Sequence, residues 1–197
     1  MKNSFILLSI GLVAASMLAG CKDNTVPPKE DPGEIIDKIT LIFNPTDNNS
    51  APVTVIARDD DAAGPDDMKA DGPIELDATK SYDLFIQFEN TLANGDISNE
   101  IQKEGDQHMI FFAFTSDVFS SPAGNGNVDS RDDPMNYLDK DDNGLPIGLQ
   151  TSWITGLSGS QGTFEIVLKH QPDVKSATSD SQIGSTDVQF TWDISIK

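Results

Sequence analysis

The chain has 197 residues, with 13 Lys+Arg against 32 Asp+Glu and a formal charge of −19. Its single cysteine, Cys21, excludes an internal disulfide framework and any multi-cysteine zinc or iron–sulfur site, and the acidity argues against nucleic acid as a partner. The length suits one domain of moderate size, and 37% hydrophobic residues are enough for a buried core.

The first element is an address. Lys2 precedes an apolar run from Phe5 to Leu18, too short for a membrane span and right for a signal-peptide h-region. It ends in Leu18-Ala19-Gly20-Cys21, which looks like a bacterial lipobox, with the one cysteine at the position that takes the lipid. Residues 1–20 are therefore expected to be a lipoprotein signal peptide, and Cys21 the lipidation site that holds the protein at a membrane. Two or more acyl chains give stable anchoring where one is marginal. Residues 21–36 carry prolines 27, 28 and 32 and read as a flexible tether.

From residue 37 to 197 the dominant period is two. Tyr82, Leu84, Ile86 and Phe88 alternate with polar residues, broken only by Phe85; so do Phe164, Ile166 and Leu168, and Val188, Phe190, Trp192, Ile194 and Ile196. Weaker alternation covers Ile39–Phe43, Val53–Arg58 and Gly148–Ile154. Met109–Phe114 is apolar on both parities and reads as a central strand covered on both faces. Turn signals such as Asn94-Gly95 and Asn143-Gly144 separate these segments. The expected fold is all-β: an antiparallel β-sandwich, Ig-like or jelly-roll-like, of seven to nine strands. One short helix is expected between Ile97 and Gln107, capped by Asp96 or Ser98. Of the acids 25 are Asp and 7 are Glu, a bias toward turns and caps.

Two cation sites can be drawn. Asp139, Asp141 and Asn143, followed by Gly144, resemble the opening of a calcium loop, though the twelfth position is Gln150 instead of Glu. The same segment makes a good hairpin turn, which is the preferred reading. A second acidic run, Asp59-Asp60-Asp61 with Asp66, Asp67 and Asp71, is a weaker version of the same idea. The other site involves both histidines. His108 shares inward parity with Ile110, Phe112 and Phe114, and His170 with Phe164, Ile166 and Leu168. If the two strands are antiparallel neighbours, both imidazoles lie at one end of the sandwich. Glu104, Asp106 and Asp173 then stand near enough in sequence to complete a nitrogen–oxygen site, His108, His170, Glu104 and Asp173 being the leading set for zinc, copper or iron. The competing view is that each histidine is simply satisfied at the edge of the core.

Enzyme signatures are missing: no Gly-x-Ser-x-Gly elbow, His-Glu-x-x-His or P-loop occurs, so the chain is read as non-catalytic. Trp192 reads as core. Trp153, beside a Gly/Ser loop, is the better candidate for an exposed, sugar-stacking ring.

Several short stretches together resemble a group of small Bacteroidota lipoproteins: Leu18-Ala19-Gly20-Cys21, Ala51-Pro52-Val53-Thr54, Glu104-Gly105-Asp106-Gln107-His108, Asp139 to Leu149, and Leu168-Lys169-His170-Gln171-Pro172-Asp173. Lys22-Asp23 is similar to the export signal of surface lipoproteins in that phylum. The group is sometimes labelled a type 1 periplasmic binding fold and is associated with TonB-dependent outer-membrane receptors. That label implies two α/β lobes, which the strand pattern here does not support. The resemblance implies a setting: an outer-membrane, lipid-anchored protein, periplasmic or surface-facing, with a TonB-dependent receptor as partner. The expected role is a ligand- or metal-binding accessory to uptake. The alternatives are a carbohydrate-binding surface lipoprotein using Trp153 and a purely structural or adhesive sandwich.

Overall fold

The computed structural model describes residues 34–47, 49–59 and 68–197. The signal peptide, Cys21 and the tether up to residue 33 lie outside the described residues. Among those described, no helix is long and apolar enough to cross a membrane. In chain order the elements are β1 (Lys38–Pro45), β2 (Val53–Arg58), β3 (Lys69–Ala70), β4 (Ile74–Leu76), β5 (Ser81–Asn90), β6 (Gly95–Asp96), α1 (Ile97–Lys103), β7 (His108–Phe114), β8 (Phe119–Ser121), β9 (Gln150–Thr155), β10 (Gln161–His170) and β11 (Ser185–Ile196).

The strands form an all-β sandwich of two sheets. One has the order β3-β2-β1-β5-β9-β8 with β6 added to β5; the other has the order β4-β11-β10-β7. All pairings are antiparallel except β4 with β11. Every segment that alternates in the sequence is a strand. The extra ones, β3, β4, β6 and β8, are two or three residues long, too short for a period to show.

Period-two alternation places Leu41, Phe43, Tyr82, Leu84 and Phe88 of the first sheet against Phe112, Phe164, Ile166 and Leu168 of the second, all essentially buried. Trp153 sits at the centre of this layer, 1% exposed, with the Phe119 ring 4.5 Å away and those of Phe164, Phe114 and Phe112 at 5.3, 5.4 and 5.5 Å. Its indole N–H donates to the Thr151 hydroxyl at 2.7 Å, so the ring is buried with its polar edge satisfied. The expectation that Trp153 is an exposed stacking ring is therefore wrong. Thr151, Trp153 and Thr155 share the inward parity of β9, and the Gly/Ser loop begins only after them. Trp192 is buried as expected.

Strand β7 differs from expectation in one respect. It is covered on both faces, with Ile110, Phe112 and Phe114 in the main core and Met109 and Phe111 packed with Val167, Val128 and Tyr137 on the other side. By pairing, however, it is an edge. The segment from residue 122 to 149 closes that edge, since Phe112 N–H donates to Asn127 Oδ1 and the Phe112 carbonyl accepts from Asn127 N–H at 2.7 Å. Gly126 makes this approach possible: its φ is +95°, and a Cβ there would run into the Phe112 carbonyl.

Helix α1 is shorter than the sequence suggests. Asp96 caps it by accepting from Asn99 N–H, Ile97 and Ile101 anchor it to the core, and it ends at Lys103. The turn through Gly105 and Asp106 then leads directly into β7 and His108.

Candidate metal centre

The sequence places His108 at the first position of β7 and His170 at the last position of β10. In the antiparallel register the two are direct cross-strand partners, and their rings stack with centroids 4.7 Å apart and planes 8° from parallel. Both are buried. The ring nitrogens of His108 have different tasks. Nδ1 lies 3.1 Å from the Glu104 carbonyl oxygen, which can only accept, so Nδ1 carries the proton and Nε2 keeps its lone pair.

That lone pair faces Asp187. The carboxylate Oδ2 is 3.6 Å from His108 Nε2, too far for a hydrogen bond, and the two side chains are 0% and 1% exposed. Asp187 has the odd parity of β11 and by simple alternation belongs outside, with Thr191 and Asp193. A β-bulge changes this. Leu168 pairs with Val188 and Lys169 with Thr186, leaving Asp187 as the extra, unpaired residue. A bulge sets two consecutive side chains on the same side of the sheet, which sends Asp187 inward beside Val188.

His108 Nε2, His170 Nε2 and both Asp187 oxygens are buried without a well-formed hydrogen bond among the described residues. Each such orphan ordinarily costs about 1–3 kcal/mol, and more if charged. The ligand atoms of His108, His170 and Asp187 lie within 4.8 Å of one another. A second group within the same limit joins His108 to Glu34, from the segment leading into β1, and to Glu104 at the end of α1.

The protonation behaviour follows from burial. Burial pushes His108 down to about 4, against the Glu104 carbonyl, which favours the charged ring. Burial pushes Asp187 up to about 6, though His170, a weak backbone hydrogen bond from Glu34 and Lys169 oppose it. Burial pushes Glu34 up to about 7, with Glu100, Asp187 and Glu104 adding repulsion. Two buried imidazoles and a buried carboxylate are the donor set that divalent first-row transition metals take. The parallel rings must tilt for their lone pairs to converge on one ion.

The expected ligands fare differently. His108 and His170 come together as their parity required. Glu104 is present twice, its carbonyl fixing His108 and its carboxylate grouping with Glu34. Asp173 does not join them; it is an exposed loop residue with φ +61°, turned away after Gln171 and Pro172 end the β10 pairing. Asp187 and Glu34 take its place. The first was hidden by the bulge and the second by its position in what reads as a tether.

The calcium reading of Asp139, Asp141 and Asn143 fails on the same accounting. The Asp139 oxygens accept from Gly148 and Leu149 N–H at 2.9 and 2.8 Å. Asp141 Oδ1 accepts from Asn143 and Leu145 N–H at 2.9 and 2.8 Å. Its Oδ2 meets Lys175 Nζ at 2.9 Å, both side chains 1% exposed. Burial alone would push Asp141 up, but Lys175 and these amides hold it below the usual carboxylate range. The segment is the hairpin turn around Asn143-Gly144, with Lys175 as its built-in cation. Of the second acidic run, Asp60, Asp61, Asp66 and Asp67 lie outside the described residues, and Asp71 pairs with Arg58 at 2.9 Å.

Fold and cluster together define an antiparallel β-sandwich with a buried two-histidine, one-carboxylate centre at one end. Comparisons with protein-family models, with curated proteins and with solved structures found no match to this chain.

Proposed function

We propose that this protein is a metal-binding accessory of the cell envelope, holding one divalent transition-metal ion between His108, His170 and Asp187. The observation that carries the reading is the set of buried ligand atoms on His108, His170 and Asp187 that have no well-formed hydrogen bond among the described residues, the Glu34 backbone offering Asp187 only a weak one. A bound ion would satisfy them at once and bring positive charge to Asp187. Zinc, copper and iron suit this donor set; calcium, which prefers six to eight oxygens, does not.

The role is binding and delivery in place of catalysis. The His108 and Asp187 side chains are at most 1% exposed, which suits holding an ion more than presenting it to a substrate. The lipobox at Cys21 supports anchoring in a membrane, and the resemblance to Bacteroidota lipoproteins supports the outer membrane and a TonB-dependent receptor as partner.

The test is metal analysis of the full chain purified without an affinity tag, followed by titration of the chelator-stripped protein with zinc, copper(II) and iron(II). One equivalent of tightly held metal is expected. Absence of bound metal together with no response to any of the three ions would overturn the reading. Mass spectrometry of the membrane-extracted protein checks the anchor, where a free Cys21 thiol would contradict it.

A further inference from the structure

A groove of about 770 Å³ runs along β5 beside α1. It opens where β9 peels away from β5 and α1 takes its place along the strand edge, Ser98 Oγ receiving the Phe88 N–H at 2.7 Å. In a chain of charge −19 this groove is electrically quiet. Carboxamides dominate its lining: Gln87, Asn94, Asn99, Gln102 and Gln150 are all exposed, and none of these five side chains has a partner among the described residues. The two acids present are already engaged, Glu89 with Lys38 at 2.7 Å and Asp96 as the cap of α1. Among the described residues, no Lys, Arg or His lines it. One aromatic ring does: Phe85, on the outer parity of β5 between Gln150 of β9 and Ile42 of β1, is half-buried.

We infer that this groove is a binding site for a neutral oligosaccharide. A planar carboxamide offers a donor and an acceptor side by side, which matches adjacent sugar hydroxyls, and an aromatic face takes the C–H face of a sugar ring. The volume lies within the usual range for small-ligand sites. Without basic groups the groove has nothing to hold phosphate or carboxylate. An extended peptide is disfavoured because the β5 edge is closed: Ile86 N–H bonds the Leu149 carbonyl, Phe88 N–H bonds Ser98, and Asn90 pairs with Gly95 of β6. The site is independent of the histidine centre, and it is the place for a glycan that Trp153 is not.

The experiment is calorimetric titration of the full chain with cellohexaose, maltohexaose, xylohexaose and mannohexaose. Binding of at least one is expected, weakened about tenfold by Phe85→Ala and by the exposed change Gln102→Ala, and unaltered by His108→Ala. Gln102→Ala touches no core residue, so its result stands even if Phe85→Ala lowers stability. Binding of none of the four, or binding indifferent to both groove variants, overturns the inference. Preference for an anionic sugar or a peptide pool over all four does so too.

Discussion

The acidic hairpin at Asp139–Gly144 and the histidine end of the sandwich both read as cation sites in sequence and behave oppositely in the fold. The hairpin at Asp139–Gly144 packs its carboxylates close together along the chain, yet those of Asp139 and Asp141 are held by backbone amides or by Lys175. The histidine end holds Asp187, Glu34 and Glu104, but the atoms of His108, His170 and Asp187 that point into it have no well-formed hydrogen bond among the described residues. Density of acids is thus a poor guide to a cation site. What distinguishes one is ligand atoms that the fold has buried and left unpartnered, since a protein tolerates that cost only where something else satisfies the group.

The comparison breaks most visibly if the histidines are removed. His108→Ala or His170→Ala is expected to abolish measurable zinc binding in a calorimetric titration; unchanged affinity would place the ion elsewhere. The next effect concerns the hairpin. Lys175→Met leaves the buried Asp141 carboxylate unpaired, and chemical denaturation should show a loss of about 3–5 kcal/mol. A loss below ~1 kcal/mol would mean that Lys175 is not the cation the hairpin is built around. Third, Asp187→Asn keeps the shape but puts an amide nitrogen where an anionic ligand stood. Zinc affinity should fall about 10–100-fold, the metal-free melting temperature staying level or rising because a buried, unpaired charge is gone. A drop in that temperature would assign Asp187 a structural role instead. The smallest effect is expected from calcium, which should leave the melting temperature of the wild-type chain unmoved, whereas a ligand binding only the folded state raises it. A clear rise would restore the calcium reading of Asp139 and Asp141.

Much of this was legible beforehand where a side chain obeys its period. The strands around Tyr82–Phe88, Phe164–Leu168 and Val188–Ile196 follow alternation, and the meeting of His108 with His170 follows from parity plus antiparallel pairing. The failures have local physical causes. Asp187 sits on a bulge, and a one-residue insertion in the ladder leaves no mark in a hydrophobicity pattern while reversing which face a residue takes. Asp173 looked better placed because it is nearer His170 in sequence, but the chain turns at Pro172. The parity of Trp153 is set by Thr151 and Thr155 on its own strand and not by the Gly/Ser loop that follows. Strand β7 is apolar on both faces because a loop covers its outer one, a contact between distant residues that composition cannot distinguish from a second layer of sheet.

The place an ion takes decides between the two ends. A crystal structure of the full chain grown with zinc, with anomalous data collected at the zinc edge, asks this directly. The expected peak lies about 2.0–2.2 Å from His108 Nε2, His170 Nε2 and an Asp187 oxygen, with the two rings tilted out of parallel. A strong peak among Asp139, Asp141 and Asn143, with the histidine rings still stacked and unliganded, would contradict it.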